Sequence, residues 1–196
     1  MASKRQNNTP SDPRGAVIDA ALKLASKRDW ENVTLADIAK AAGISLAALS
    51  QMFECREDIL AAYARRVDTD VLDSFDGSGE GPAGRDQLFD IMMERFERLN
   101  NDRAALLSIL ASAKTDPKQW VIALPQTAKS MAWMLEASGM DTLGWKGAAR
   151  VAGLSAVYLW TMRAWLQDDS PDLGKTMATL DKALGRAESI ANTVNL

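Results

Sequence analysis

The chain has 196 residues, of which 47% are hydrophobic and 25% are charged, and its formal net charge is −3. This length suits one large domain or a small domain joined to a medium one, and the charge provides no global basic field that would attract nucleic acid. There is no histidine and only one cysteine, Cys55, which excludes histidine-based catalysis, zinc-type ligand sets and an internal disulfide. We therefore expect neither a metal site nor a cofactor, and we do not expect an enzyme.

Residues 1–13 are polar and lack the apolar run of a signal peptide, so they predict a flexible arm and a cytoplasmic protein. Asp12 and Pro13 predict an N-cap followed by proline in the first turn of a helix. This helix is expected to end near Arg28. Its apolar residues recur at helical spacing on one face, namely Val17, Ala21, Leu24 and Ala25.

Two short helices are predicted next, with signals for both their starts and the turn between them. Thr34 can cap the first, and Asp37 can reach back to complete a capping box. Gly43 can adopt the positive φ that ends this helix, and Ser45 can cap the one that follows. Two short helices joined by a glycine-containing turn make a helix-turn-helix, which we place within residues 14–60. The expected shared core is Ile38, Ile44, Leu49 and Phe53.

The rest of the chain, residues 61–196, predicts a larger helical domain. Helices are expected at roughly 56–75, 85–100, 102–114, 117–138, 144–167 and 171–194, with a loop at 76–84. No segment alternates with period two for long enough to predict a strand, so the fold should be all-α with about nine helices. Pro125 should kink or split its helix. Arg150 and Arg163 interrupt the most apolar segment, so no membrane span is expected.

The last helix carries an apolar seam, with Ser170 as its predicted cap and Pro171 as its first residue. Packing of this helix and the preceding one against a second copy would form a four-helix interface and a homodimer. The alternative is that both helices close the core of the monomer. The seam consists of Leu173, Met177, Leu180, Leu184, Ala187, Ala191 and Val194, of which the first four are the predicted dimer contacts.

The larger domain is also rich in methionine and aromatic residues, which can enclose an adaptable apolar pocket. Leu88, Met92 and Phe96 share a helix face, and Trp133 and Met134 follow Pro125. Leu154 and Tyr158 lie on the central apolar helix. These seven residues are predicted to line a site for a small apolar ligand, with a filled core as the alternative.

The N-terminal pattern resembles a known family. A leading helix, the segment WENVTLADIAKAAGIS, Phe53 and an acidic helix start are similar to the N-terminal domain of TetR-type transcriptional regulators over about residues 14–60. The resemblance implies that the third helix enters the major groove of operator DNA. It also implies that a larger domain binds a small apolar effector and that the last two helices form a dimer.

Carried onto this chain, the family's phosphate contacts would fall on Thr34, Ser45 and Arg56. Its groove-facing positions would hold Leu46, Ala47, Ala48, Ser50, Gln51 and Met52. Gln51 suits adenine, and alanine or methionine can contact thymine methyl groups. Residues 14–60 hold six Lys or Arg and seven Asp or Glu, a net charge of −1, which is a weak electrostatic footprint for DNA.

A second resemblance lies at the other end of the chain. The segment LQDDSPDLGKTMATLDKAL, residues 166–184, resembles the C-terminal signature of the lipid-binding accessory protein of ubiquinone biosynthesis. GISLAALSQMF resembles the third helix of that family, which shares the TetR-type fold. This resemblance implies a carrier of an apolar lipid or isoprenoid that does not bind DNA. We favour the regulator because the helix-turn-helix pattern is complete, and the carrier stays open as the alternative.

Overall fold

The computed structural model describes residues 12–75, 84–112 and 118–193, with the side chains of 118–122 excepted. Over these residues the chain forms nine α-helices, one short 3-10 helix and no strand, which confirms the predicted all-α fold. Three predicted features fall wholly or mostly outside the described residues: the arm up to residue 11, the loop at 76–84 and Val194 of the seam.

The helices follow the predicted order along the chain. They are α1 (Pro13–Ala25), a 3-10 helix (Trp30–Asn32), α2 (Leu35–Ala41), α3 (Leu46–Ser50), α4 (Arg56–Ser74), α5 (Arg85–Asn101), α6 (Arg103–Ser112), α7 (Lys118–Ala137), α8 (Gly144–Trp165) and α9 (Gly174–Thr193).

Local signals set the starts of the first three helices and the turn between α2 and α3 as predicted, whereas α1 ends at Ala25 rather than near Arg28. The N–H of Gly15 donates to Asp12 Oδ1 at 3.0 Å, so Asp12 caps α1. Thr34 and Asp37 form the reciprocal capping box at the start of α2. Gly43 has a φ of 71°, a conformation that favours glycine, and it allows the sharp turn between α2 and α3. Ser45 then caps α3 by accepting from the N–H of Ala48 at 3.1 Å.

The chain divides into two compact units, of which the first comprises Met1–Tyr63 and Asp102–Trp120. In this unit α1 packs against α2 and α6, and α2 packs against α3. The N–H of Trp30 donates to Ser108 Oγ on α6 at 3.0 Å, and the Ser108 hydroxyl donates to the carbonyl of Arg28. The sequence prediction had placed α6 in the larger domain, whereas its packing assigns it to the helix-turn-helix unit.

The second unit comprises Ala64–Asn101 and Val121–Leu196. Its most extensive packing is between α8 and α9, and α5 also contacts α9. Arg85 on α5 forms a salt bridge with the Asp181 carboxylate on α9, which holds these two helices together at the surface. The core between the helices is apolar and is built around large side chains such as Phe96, Met134 and Leu180.

Two details of the second half were predicted only in part. The helix α7 runs through the exposed Pro125 from Lys118 to Ala137, so the proline does not split it, and a kink there stays a prediction. The last helix begins at Gly174 rather than at Pro171, because residues 168–173 form a turn that ends with Leu173 at a φ of 51°. Ser170 therefore does not occupy the N-cap position, which falls on Leu173, but its Oγ accepts from the N–H of Gly174 at 3.1 Å.

The turn before α9 is organised by a buried carboxylate. Asp168 is 3% exposed, and its Oδ2 accepts from the N–H and from the hydroxyl of Thr176, each at 2.7 Å. Its Oδ1 accepts from Ser170. Burial alone would raise the pKa of Asp168, but the hydrogen bonds from Ser170 and Thr176 outweigh burial and lower the pKa to about 2.

Replacing Asp168 with asparagine is therefore expected to destabilise the protein. The amide provides one acceptor oxygen where the carboxylate provides two, and we expect a loss of about 1 to 3 kcal/mol in the free energy of unfolding at neutral pH. Because the pKa is lowered on folding, the charged form stabilises the fold above pH ~4 and this contribution disappears as pH falls toward ~2. Urea titrations at several pH values should show the two proteins converging in acid. A constant difference down to the lowest pH would contradict this role.

Candidate functional site

The helix α3 presents its outer face to solvent. Leu49 is fully buried and Phe53 is 3% exposed, and these two side chains anchor the helix on the rest of the first unit. Leu46 is 52% exposed. The exposed residues of the α3 surface are Ser45, Leu46, Ala47, Ala48, Ser50 and Gln51. Met52 is half-buried. The predicted groove-facing positions therefore lie together on one accessible surface.

Hydrogen bonding within α3 decides which of these side chains can read a base. The Ser50 hydroxyl donates to the carbonyl of Ala47 at 2.9 Å, so its proton is used within the helix. Ser45 Oγ acts as an acceptor in its cap, which leaves its proton for another partner. Gln51 provides a side-chain amide with both donor and acceptor atoms at the C-terminal end of the helix.

The other two predicted phosphate contacts have internal partners. The Thr34 hydroxyl donates to Asp37 Oδ2 at 2.8 Å, and this bond lowers the pKa of Asp37. Nη1 of Arg56 donates to the carbonyls of Trp30 and Val33, both at 2.8 Å, and the guanidinium lies 5.3 Å from the centre of the Trp30 ring. Both side chains therefore hold the approach to α2 in place, and their contact with phosphate stays a prediction.

Further arginines of the first unit are also engaged within it. Arg28 forms a 2.8 Å salt bridge with Asp37. Arg14 donates to the carbonyl of Met52 at 3.4 Å and lies 4.6 Å from the centre of the Phe53 ring. Lys40, by contrast, is exposed in the last turn of α2. The positive charge available near α3 is thus smaller than the sequence count suggests.

Cys55 lies just before the start of α4, but its surroundings disfavour the thiolate. A thiol before a helix N-terminus tends to have a lowered pKa. Here burial raises the pKa of the Cys55 thiol, and the neighbouring carboxylates of Glu57 and Asp58 disfavour the thiolate as well. The N–H groups of Glu54 and Cys55 both donate to Asp58 Oδ2, so this carboxylate caps the start of α4.

The predicted ligand-lining residues lie in the second unit, and six of the seven are buried there. These six are Leu88, Met92, Phe96, Met134, Leu154 and Tyr158. The rings of Phe96 and Tyr158 are 5.6 Å apart. Trp133 on α7 is 59% exposed, so it lies outside this buried group, and its contact with a ligand stays a prediction. That the other six contact a ligand stays a prediction.

Sequence reasoning missed the charged residues within this cluster. Arg95 forms a buried salt bridge with Asp68, and Ser130 donates to the same carboxylate. Two charged residues would ordinarily be assigned to the surface. A signal was present, since Arg95 lies three residues after Met92 and next to Phe96, on the apolar face of α5.

The predicted dimer contacts on α9 are mostly buried within the monomer. Leu173, Leu180 and Leu184 are 3%, 0% and 4% exposed, so these three side chains of the seam pack inside the single chain, and their contact with a second copy stays a prediction. Met177 remains 42% exposed. An exposed apolar strip runs instead along α8 and consists of Trp145, Ala148, Ala152, Ala156 and Trp160, in which the two tryptophans are 69% and 59% exposed.

Comparison with known proteins agrees with the geometry of the first unit. Residues 17–63 match the family described as bacterial regulatory proteins, tetR family. Residues 17–63 are a TetR-type helix-turn-helix domain. The chain is also 30% identical over 112 residues to the HTH-type transcriptional regulator AlkX of Mycobacterium tuberculosis (strain ATCC 25618 / H37Rv). That match covers 55% of this chain and 52% of AlkX, so it spans about half the length of the relative.

Solved structures show that the TetR-like fold extends beyond the helix-turn-helix domain. A TetR transcriptional regulator from Nitrosomonas europaea ATCC 19718 superposes with a TM-score of 0.73 at 23% identity, over 91% of this chain and 99% of that one. The TetR-family repressor FadR of Thermus thermophilus, in complex with lauroyl-CoA, gives a TM-score of 0.57 at 16% identity, over 89% and 93%. At these identities the likeness concerns the fold.

The comparisons do not show the second resemblance, to the ubiquinone-biosynthesis accessory protein. In the structure, the segment that carried it is a helix end, the Asp168 turn and the start of α9. Among the described helices, none is long and apolar enough to cross a membrane. The described part of the TetR-like chain also contains no cluster of three or more Asp, Glu or Cys side chains that could hold a metal ion.

Proposed function

We propose that this protein is a DNA-binding transcriptional regulator of the TetR type, acting as a homodimer in the cytoplasm under the control of a small apolar effector. One observation carries the proposal: a TetR-type helix-turn-helix domain has a complete scaffold and leaves the outer face of α3 accessible. The extended match to AlkX, named as a transcriptional regulator, supports it.

In this proposal α3 enters the major groove and reads mainly A·T base pairs. The Gln51 amide donates to and accepts from an adenine edge, and Leu46 and Ala47 contact thymine methyl groups. Ser45 and Lys40 contact phosphates on either side of the groove. Thr34 and Arg56 keep the start of α2 in place, and the remaining N–H donors of Arg56 contact the phosphate backbone of the DNA. Because few cations face the DNA, the salt dependence of binding should be shallow.

The substitution Gln51→Ala tests the assigned reading. We expect discrimination between the operator and a variant operator at the contacted base to fall by about 1 to 3 kcal/mol. Lys40→Ala is the matched control, since loss of a phosphate contact should weaken binding about equally for both sequences. Fluorescence anisotropy with both DNAs would measure this. Operator selectivity unchanged in the Gln51 variant would refute the role of this side chain.

The homodimer is proposed to form through the exposed apolar strip of α8, together with Met177 on α9. Small alanines between the two tryptophans allow close approach of a second helix, and an apolar strip of this kind is typical of an interface. Two-fold pairing also suits a helix-turn-helix protein, because each copy reads one half-site.

Trp160→Glu is expected to convert the dimer into a monomer at micromolar concentration, because removing a carboxylate from water at an apolar interface is costly. Trp133→Glu is the matched control, since both tryptophans are 59% exposed in the single chain. Sedimentation equilibrium would measure both masses. A Trp160 variant that stays dimeric, or a Trp133 variant that dissociates, would show that the dimer interface does not lie on α8.

The effector is proposed to bind among the buried methionine and aromatic side chains of the second unit. An apolar surface is provided there by Met92, Phe96, Met134 and Leu154. The flexible methionine side chains allow this surface to fit ligands of different shapes. The FadR structure of the same fold holds lauroyl-CoA, which supports a ligand with a long apolar chain. Effector binding would shift the spacing of the two α3 helices in the dimer and so change operator affinity.

A carrier of an apolar lipid or isoprenoid is the second candidate. The observation that favours it is the lack of any charged side chain from Ser45 to Phe53. The two proposals differ in one measurable property, since a carrier has no preferred DNA sequence. Sequence-specific binding would exclude the carrier as the sole function.

A further inference from the structure

A polar cluster interrupts the apolar core of the second unit. It brings together four side chains from four helices: Asp68 of α4, Arg95 of α5, Ser130 of α7 and Tyr158 of α8, which are 7%, 3%, 3% and 8% exposed. We call these four residues the buried polar cluster. The apolar residues of the proposed effector site lie next to the buried polar cluster along the same helices. Met92 and Phe96 lie on either side of Arg95 on α5. Met134 follows Ser130 by one turn of α7, and Leu154 precedes Tyr158 by one turn of α8.

The guanidinium of Arg95 has more donors than the cluster uses. Nη1 lies 2.7 Å from Asp68 Oδ1 in a buried salt bridge. The other carboxylate oxygen, Asp68 Oδ2, accepts from the Ser130 hydroxyl at 2.5 Å. Within the described part of the chain, Nε of Arg95 has neither a hydrogen-bond partner nor an ion-pair partner. A buried donor without a partner is rare in folded proteins, so this atom indicates a binding role.

The charges of the cluster already balance. Arg95 and Asp68 carry opposite charges, and Ser130 is neutral. Burial raises the pKa of the Tyr158 hydroxyl, and the Arg95 guanidinium, 5.3 Å from the centre of its ring, offsets only part of that effect. Tyr158 is therefore a neutral hydroxyl at physiological pH. A ligand carboxylate would add a negative charge with no cation to balance it, whereas a neutral oxygen would satisfy the donors at no such cost.

We propose that the buried polar cluster binds the oxygen of an uncharged ligand whose remainder is a long apolar chain, such as a ketone, aldehyde, ester or alcohol. The ligand oxygen accepts from Arg95 and from the Tyr158 hydroxyl, and the chain packs against Met92, Phe96, Met134 and Leu154. This assignment rests on the proposed function, because it names the chemical class of the effector.

Three probes of equal chain length test the assignment: n-dodecane, 2-dodecanone and dodecanoate. The full chain is loaded with the neutral dye Nile red, and displacement by each probe is titrated. We expect 2-dodecanone to displace the dye at a concentration about tenfold or more below that of n-dodecane, because hydrogen bonds from a charged donor are strong. Dodecanoate at pH 8 should bind more weakly than the ketone. Equal binding of the alkane, tighter binding of the carboxylate, or no displacement by any probe would overturn the proposal.

Variants then connect the preference to the cluster. Tyr158→Phe removes one donor only and should reduce the preference for the ketone severalfold. The double variant Asp68→Leu/Arg95→Met removes both charges together and should reduce the preference for the ketone to the part that the Tyr158 hydroxyl provides. Arg98→Met on the same helix is the matched control, since Arg98 pairs with Glu94 outside the cluster and its loss should change nothing. A ketone preference that stays at the wild-type level in both cluster variants would overturn the assignment. No DNA is present, so failure of operator binding would leave this result unaffected.

Discussion

Replacing Asp68 with alanine is expected to lower the free energy of unfolding by about 3 to 5 kcal/mol. The substitution leaves the Arg95 charge buried at 3% exposure without its anionic partner, and it removes the acceptor of the Ser130 hydroxyl. Taking a charge out of water is costly, and the ion pair offsets that cost only while both partners remain. Urea denaturation of wild type and variant would measure the difference at pH 7.

The double variant Asp68→Leu/Arg95→Met distinguishes a broken ion pair from a general packing defect. Replacing both partners with apolar side chains of similar size is often neutral, or stabilising by about 1 to 4 kcal/mol. We therefore expect the double variant to be more stable than the single one. A loss below about 1 kcal/mol for Asp68→Ala would contradict the buried ion pair. A double variant that loses as much stability as separate substitutions of Asp68 and Arg95 added together would also contradict it.

The substitution Leu46→Glu is expected to reduce operator affinity by about 100-fold or more, equivalent to about 3 kcal/mol. Leu46 is the first residue of α3 and is 52% exposed, so in the proposed complex a carboxylate there would lie among the phosphates of the groove. Like charges placed together at an interface cost several kcal/mol. Binding measured by fluorescence anisotropy at fixed salt would give the change in affinity.

The same substitution, Leu46→Glu, should leave folding intact, so a loss of DNA binding can be distinguished from a loss of stability. A glutamate in the first turn of a helix interacts favourably with the helix dipole, and an exposed change alters stability by about 0.5 kcal/mol at most. Leu107→Glu is the matched control, because Leu107 is 37% exposed on α6 of the same unit and carries the same change in charge. If Leu46→Glu binds the operator within about threefold of wild type, α3 does not lie in the groove.

The sequence predicted those features whose signals are local. The capping box joins Thr34 to Asp37 three residues later, and the positive φ at Gly43 depends on that residue alone. Such signals are complete within one turn of chain, so a single sequence is enough to recognise them. This is why the helix-turn-helix was predicted with the correct caps and the correct turn.

The sequence could not predict which surface a buried face packs against. The spacing of Leu173, Leu180 and Leu184 indicates one buried stripe on α9, but periodicity is the same whether α8 of the same chain or a second copy covers it. For the same reason the two exposed tryptophans, Trp133 and Trp160, were not recognised as surface residues. Their size suggests burial, and only the packing of the helices exposes them.

Contacts between residues that are far apart in the sequence could not be predicted either. The Asp68–Arg95 salt bridge and the bond from Ser130 join α4, α5 and α7, and the bond from Trp30 to Ser108 assigns α6 to the first unit. Each spans many residues of chain, and no local pattern encodes the partner. The candidate DNA surface was therefore predicted from local pattern, whereas the charged interior of the effector site became visible only in the structure.

Selection of bound fragments from genomic DNA would show whether this protein recognises a specific DNA sequence. The purified protein is mixed with the fragmented genome at low salt, and the retained fragments are then challenged with increasing salt. A regulator should retain a defined fragment near physiological salt, with tight binding that Leu46→Glu abolishes. Uniform, weak retention of all fragments that disappears with modest salt would mean non-specific charge attraction only and would contradict the proposed function.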